Sequence, residues 1–342
     1  MINVSKLELG LKLDLLKDDD DNIKKAKNDK ENEYSERQSL LLNIFSQFLF
    51  GFSGFSAKLL GIHFPESFCP NNFIMTRSIG MILFSLLNFK IKNIEIPKFE
   101  HVVDKKWLII RCITNYFAFT TWILGLYYFR FTTMACFNRI APVFIMICSV
   151  LILKEKFHMK YLYGILICLL GSFIIIINDM SSDNNLLNQV KNENESSRFN
   201  RIINGLICGL SFIIFIAVTQ TSTKQLVNSG IEPHTVIFYV GICGFILGFI
   251  SNLFIFGRMK DLLNVKLSLL TMINGVLFYY ASTINQTSLK SLDLIKTTTI
   301  SYFSIVQAFV LGYVFLNEKI GVTDIIGSLI IISYNVYLTY TT

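Results

Sequence analysis

No aspartate or glutamate lies deep inside any apolar stretch of this sequence. Charge is scarce in general: Asp, Glu, Lys and Arg make up 16% of the 342 residues, against about 25% in soluble domains. Much of that charge is confined to residues 1–39, where 8 Lys and Arg face 10 Asp and Glu. A net charge of +7 therefore does not describe a basic surface for nucleic acid. Proline is rare, with five in the chain, so long helices can run unbroken. The seven cysteines (Cys69, Cys112, Cys136, Cys148, Cys168, Cys208, Cys243) form no CxxC pair, which removes the usual zinc and disulfide frameworks. There is no GxSxG, no phosphate loop and no HExxH, and the four histidines stand singly in connections. The pattern predicts no catalytic constellation, no metal site and no cofactor. The first 39 residues also lack an apolar core followed by a small-residue cleavage site.

What remains is hydrophobic length. Beyond Leu40 the chain reads as ten apolar blocks: about 40–61, 69–89, 107–128, 132–153, 160–178, 202–224, 234–256, 266–287, 294–316 and 321–340. Each approaches the roughly 20 residues a helix needs to cross a bilayer. Lipid offers no partner to backbone polar groups, so each block must be helical. The expected fold is all-α and integral to the membrane, with the bilayer as its main partner. Residues 1–39 read as a disordered cytosolic tail, 40–178 and 202–342 as two five-helix halves, and 179–201 as a polar, Asn-rich linker. Asn194-Glu195-Ser196 in that linker fits a glycan acceptor; an unmodified linker fits equally.

Lysine and arginine set the orientation. The 88–107 connection carries five, and Lys154, Lys156 and Lys160 add three to another, whereas 62–68 and 129–131 hold only Arg130. Both termini are predicted to be cytosolic. Which membrane hosts the chain is left open, plasma membrane or endomembrane, as is its oligomeric state.

Two stretches repeat. LILKEKFHMKYLYG ends at Gly164 and VFLNEKIGVTDIIG ends at Gly327, matching at Leu153 and Leu316, Glu155 and Glu318, Lys156 and Lys319, Gly164 and Gly327. Every pair is 163 positions apart. Lys58 and Lys224 close the first helix of each half in the same way. A duplicated unit of five crossings must enter the membrane upside down the second time, which predicts ten helices in two inverted repeats. That symmetry suits alternating access around a midplane site.

These residues resemble an EamA-type member of the drug/metabolite transporter superfamily. FSAKLL, FIMTRSIGMILF, the segment from GLYYFRF to LILKEKF, and SLKSLDLIKTTTISYFSIVQAFVLGYVFLNEKI carry the resemblance. The resemblance implies a carrier of small organic metabolites. The sequence departs from the family pattern at Ser304-Ile305, where a proline is usual, and at Arg139, where a small or apolar residue is usual.

A charge inside the bilayer is costly unless paired or hydrated. Lys58, Arg77 and Arg139 are the deepest such charges and head the candidates for a substrate path. Lys58 and Arg77 also fit a purely structural role on helix ends. Arg139 is expected to face a central cavity and meet an acidic or strongly polar solute group, whereas Arg111 reads as an interfacial orientation charge. Asn115, Trp122, Tyr279, Tyr280, Thr283, Thr298, Ser301 and Tyr302 complete the candidate lining; interhelical hydrogen bonding is the alternative for each. Arginine without a membrane carboxylate favours neutral or anionic solutes. Without an ATP motif, transport would be secondary or facilitative. The competing reading is a membrane receptor or scaffold that keeps the fold without transporting.

Overall fold

The computed structural model describes residues 36–65, 69–95, 99–129, 131–154, 195–253, 264–294, 304–316, 321–323 and 325–330, with isolated positions within 163–174, at 297, 300 and 301, and at 333. Among these residues every long element is an α-helix. We number them α1 (Glu36–His63), α2 (Pro70–Ile91), α3 (Lys105–Tyr128), α4 (Phe131–Cys148), α5 (Glu195–Asn228), α6 (Pro233–Ser251), α7 (Val265–Ser288) and α8 (Ser304–Leu316). α4 runs on through one π-helical turn, Ser149–Leu153.

Seven helices are long and apolar enough to span a membrane, and they coincide with seven of the ten expected blocks. Blocks 160–178 and 321–340 lie largely outside the described residues, and of 294–316 the structure describes mainly α8. The tail (1–35), Glu155, Glu318 and Asn194 also lie outside them. α5 starts at Glu195, so the last seven residues of the stretch read as linker are helical. Once the apolar 202–224 segment is helical, each added residue extends the ladder at little cost.

Side chains are sorted as lipid requires. Leu41, Phe45, Leu83, Leu87, Ile214 and Ile273 are exposed, while Asn43, Ser46, Thr221, Asn274 and Gln286 are buried. In a bilayer, apolar side chains gain nothing by turning inward, so packing and interhelical hydrogen bonds hold the bundle. Thr76 meets Thr271 at 2.6 Å, Asn252 donates to Asn72 at 2.6 Å, and Asn274 donates to the Ser53 carbonyl at 2.7 Å.

The two halves interleave. α1 packs on α7 and α5 on α3; α2 packs on α7 and α6 on α3; α4 packs on α5 and α8 on α1; α2 meets α6, and α4 meets α8. Exchanging α1–α4 for α5–α8 turns this set of pairings into itself. Details follow the same rule. Proline opens α2 at Pro70 and α6 at Pro233, 163 positions apart. The Lys58 ammonium donates to the carbonyls of Leu126 and Phe129, at 2.5 and 3.3 Å, where α3 ends. Lys224 donates to those of Leu289 and Leu292, both at 2.7 Å, where α7 ends. Each lysine thus satisfies carbonyls a helix end leaves without intrahelical donors, and places positive charge at the negative pole of the dipole.

Two crossings differ in closeness. Where α2 meets α7, a Cβ on Gly80 would overlap the Met272 carbonyl and one on Gly275 would overlap the Arg77 carbonyl, so the backbones touch. Where α3 meets α6, the thiols of Cys112 and Cys243 lie against each other within an apolar cluster.

Candidate functional site

A cavity of about 180 Å³ lies between α1, α3, α4, α5, α7, α8 and the residues just before α8. α2 and α6 supply none of its wall. Along α4 the wall positions Ala135, Asn138, Ala141, Pro142 and Ile145 recur at helical spacing. Pro142 lies inside this helix and cannot donate to the carbonyl four residues back. That removes the usual intrahelical donor to the carbonyl of Asn138, a wall residue.

Both halves build the wall from the same positions. Phe50 and Ile216, Ser53 and Thr219, and Gly54 and Gln220 line it in pairs 166 apart, the spacing of Lys58 and Lys224. Asn115 and Phe278, Trp122 and Asn285, Asn138 and Ser301, Ala141 and Ser304, and Ile145 and Ala308 line it in pairs 163 apart. The cavity therefore straddles the relation between the repeats.

Of the sequence-predicted residues, Asn115, Trp122 and Ser301 reach the wall. Arg77 stands directly behind it. Its guanidinium is sandwiched between the rings of Phe119 and Phe278, at 3.5 and 3.9 Å from their centroids, and both rings belong to the wall. A desolvated stack of this kind contributes on the order of 2 kcal/mol. Among the described residues, Nε and Nη2 of Arg77 have no acceptor.

Four candidates lie elsewhere. Lys58 caps α3, as above. Tyr279 is buried away from the cavity, with its hydroxyl 2.6 Å from His234 Nδ1. Tyr280 is 44% exposed on the outer face, its ring edge-on to Phe84. Thr283 donates to the Tyr279 carbonyl. The reason is rotation: the wall positions of α7, Phe278 and Asn285, are seven residues apart on one face, and Tyr280 sits about 200° around from Phe278. Arg139 lies in α4, but its side chain, with Thr298 and Tyr302, lies outside the described residues.

Sequence reasoning missed more than it misplaced. Arg111, read as an interfacial charge, is 5% exposed and lines the cavity. Its Nη1 donates to Asn115 Oδ1 at 3.3 Å, and its Nε has no acceptor among the described residues. Gln47, Asn138 and Gln220 also line it unannounced. The available signal was the repeat offset itself: Asn138 is the counterpart of Ser301, a position already singled out. His234 is no loose connection residue. Its Nε2 is 2.8 Å from Lys92 Nζ while Nδ1 faces Tyr279. The lysine ammonium can only donate, so the imidazole carries its proton on Nδ1 toward the tyrosine oxygen.

The buried charged residues among those described are Lys58, Arg77, Arg111 and Lys224; none is acidic. Two lysines are satisfied by helix-end carbonyls, and the two arginines are gathered at the cavity.

The chain is 25% identical over 162 residues to an uncharacterized transporter of Helicobacter pylori (strain ATCC 700392 / 26695), and equally to one of strain J99. The match covers 47% of this chain and 51% of each relative, so the chain spans about half the length of the curated relatives it matches. A crystal structure of a protein superposes with a TM-score of 0.63 at 12% identity, over 89% of this chain and 99% of the other, a likeness of fold. The profile of the EamA-like transporter family matches residues 38–177 and again 203–336. These two matches take in both helical halves and every wall residue of the cavity: the chain is a multi-pass membrane protein and belongs to the EamA-like transporter family.

Proposed function

We propose that the chain is a secondary or facilitative carrier of small organic solutes, neutral or anionic, working by alternating access. The observation that carries this reading is the wall of the cavity, drawn from matched positions of two repeats. With five crossings per repeat, the second is inverted with respect to the first, the two arrangements of the bundle become near mirror states, and a central site can open to either side. The wall chemistry fits an organic solute: aromatic rings, amides and hydroxyls, with guanidinium groups and no buried carboxylate among the described residues. Arg139 is proposed to share this path; Arg139→Gln should then cut flux sharply at normal folding and expression, and Arg139→Lys should restore part of it.

The test is counterflow in proteoliposomes of purified full chain, preloaded with a mixture of organic acids, neutral metabolites and amines. A carrier gives saturable uptake that rises when the same solute is present on the far side. Uptake absent for every class, or strictly linear with concentration, would overturn the carrier reading in favour of a receptor or scaffold.

A further inference from the structure

We propose that Arg111 is the anchor of the cavity and that it selects a small organic carboxylate with an apolar, ring-sized body. This rests on the carrier reading for its flux but not for its binding.

Arg111 is 5% exposed and its side chain sits in the wall of the cavity. A charge so placed in a membrane bundle needs a counter-charge, water or carbonyls. Among the described residues its hydrogen-bond partner is a neutral amide oxygen, Asn115 Oδ1. That bond uses one N–H of Nη1; Nε is buried out of reach of the cavity, which leaves the outer end formed by the second Nη1 N–H and Nη2. An arginine edge of two parallel N–H groups matches the two oxygens of a carboxylate. No buried acid occurs among the described residues to compete for it, and no acid lies deep in any apolar block of the sequence.

The rest of the wall defines the body of the solute. Phe119, Trp122, Phe212 and Phe278 offer ring faces and edges. At about 180 Å³ the space falls below the ~300–1,000 Å³ of pockets for drug-sized molecules. The same wall disfavours an ammonium. Arg77 lies just behind Phe119 and Phe278, so a cationic solute would face two positive groups, Arg111 and Arg77, in a medium of low dielectric. Selection is therefore for the anion over the matching zwitterion or amine.

Three probes share one body and differ in charge: 3-phenylpropionate, phenylalanine and phenethylamine. Binding is read from the fluorescence of Trp122 in detergent-purified full chain carrying Trp107→Phe, which removes the other tryptophan. Uptake is read in proteoliposomes. 3-Phenylpropionate should bind at least tenfold more tightly than either other probe. Arg111→Gln should erase that preference, and Arg111→Lys should restore part of it. If Arg111→Gln fails to fold, Asn115→Asp supplies the missing acid beside the guanidinium and should abolish anion binding in a folded protein. Equal binding of all three probes, or an anion preference that survives Arg111→Gln or Asn115→Asp, overturns the assignment. Anion binding without flux upholds Arg111 and sinks the carrier reading. Flux of phenylalanine or phenethylamine without anion binding does the reverse.

Discussion

Two lysines buried in a membrane bundle invite a transport role, and the structure gives both another. Lys58 and Lys224 each end on a pair of carbonyls that close a helix in their own repeat. Replacing either with methionine keeps the apolar stem and removes the donor. Hydrogen bonds to charged groups contribute about 1.5–3 kcal/mol each, so Lys58→Met and Lys224→Met should lower the melting temperature of the purified protein by similar amounts. A normal melting temperature with lost flux would instead place Lys58 in the path. Sequence alone could not separate these roles, because depth along a helix is readable and rotation about its axis is not. That limit also explains Arg111. Six residues from the start of α3, or roughly 9 Å at 1.5 Å per residue, it looked interfacial, and only the packing of α3 against α5 turns it inward.

Helices were the most legible part of the molecule. Seven apolar runs of spanning length became seven helices with ends shifted by a few residues, because in lipid no other backbone state satisfies those residues. Which helices touch was not legible, since the interfaces are made by small and polar residues that also occur elsewhere. Gly80 and Gly275 illustrate this: each permits backbone contact between α2 and α7, yet neither stands out among the 19 glycines. Gly80→Leu must push Met272 and its backbone away, a larger insult than the 1–3 kcal/mol typical of an overpacked core. The purified variant should lose its monodisperse peak on size exclusion, whereas Gly230→Ala, which meets no neighbour and costs only the roughly 1–2 kcal/mol of a left-handed backbone at φ 75°, should keep it. Equal profiles for the two would show that the α2–α7 contact is not tight.

At the scale of the whole chain, orientation is the sharpest open test. The Lys-rich 88–107 connection and an even number of crossings predict both termini in the cytosol. Tags at each end and one near Asn194, probed after selective permeabilisation, should report the ends on one side and the 179–201 loop on the other. A terminus on the outer side would end the inverted arrangement proposed here. The duplication itself was legible from a handful of matched residues, and the structure multiplied them along the cavity wall. The two glycines also have counterparts under the same 163-residue offset: Cys243 for Gly80, and Cys112 for Gly275. One crossing thus has glycines where the backbones touch, and its twin has two interacting thiols at the matched positions. In the inverted arrangement proposed above, the twin crossings would sit toward opposite faces, and this asymmetry would give the proposed carrier a resting preference, like a balance with unequal pans. Installing glycine at both cysteines should level it. In Cys112→Gly/Cys243→Gly, a cysteine placed at Asn138 should change the side from which an impermeant maleimide reaches it fastest. Unchanged sidedness would mean that the preference is set elsewhere.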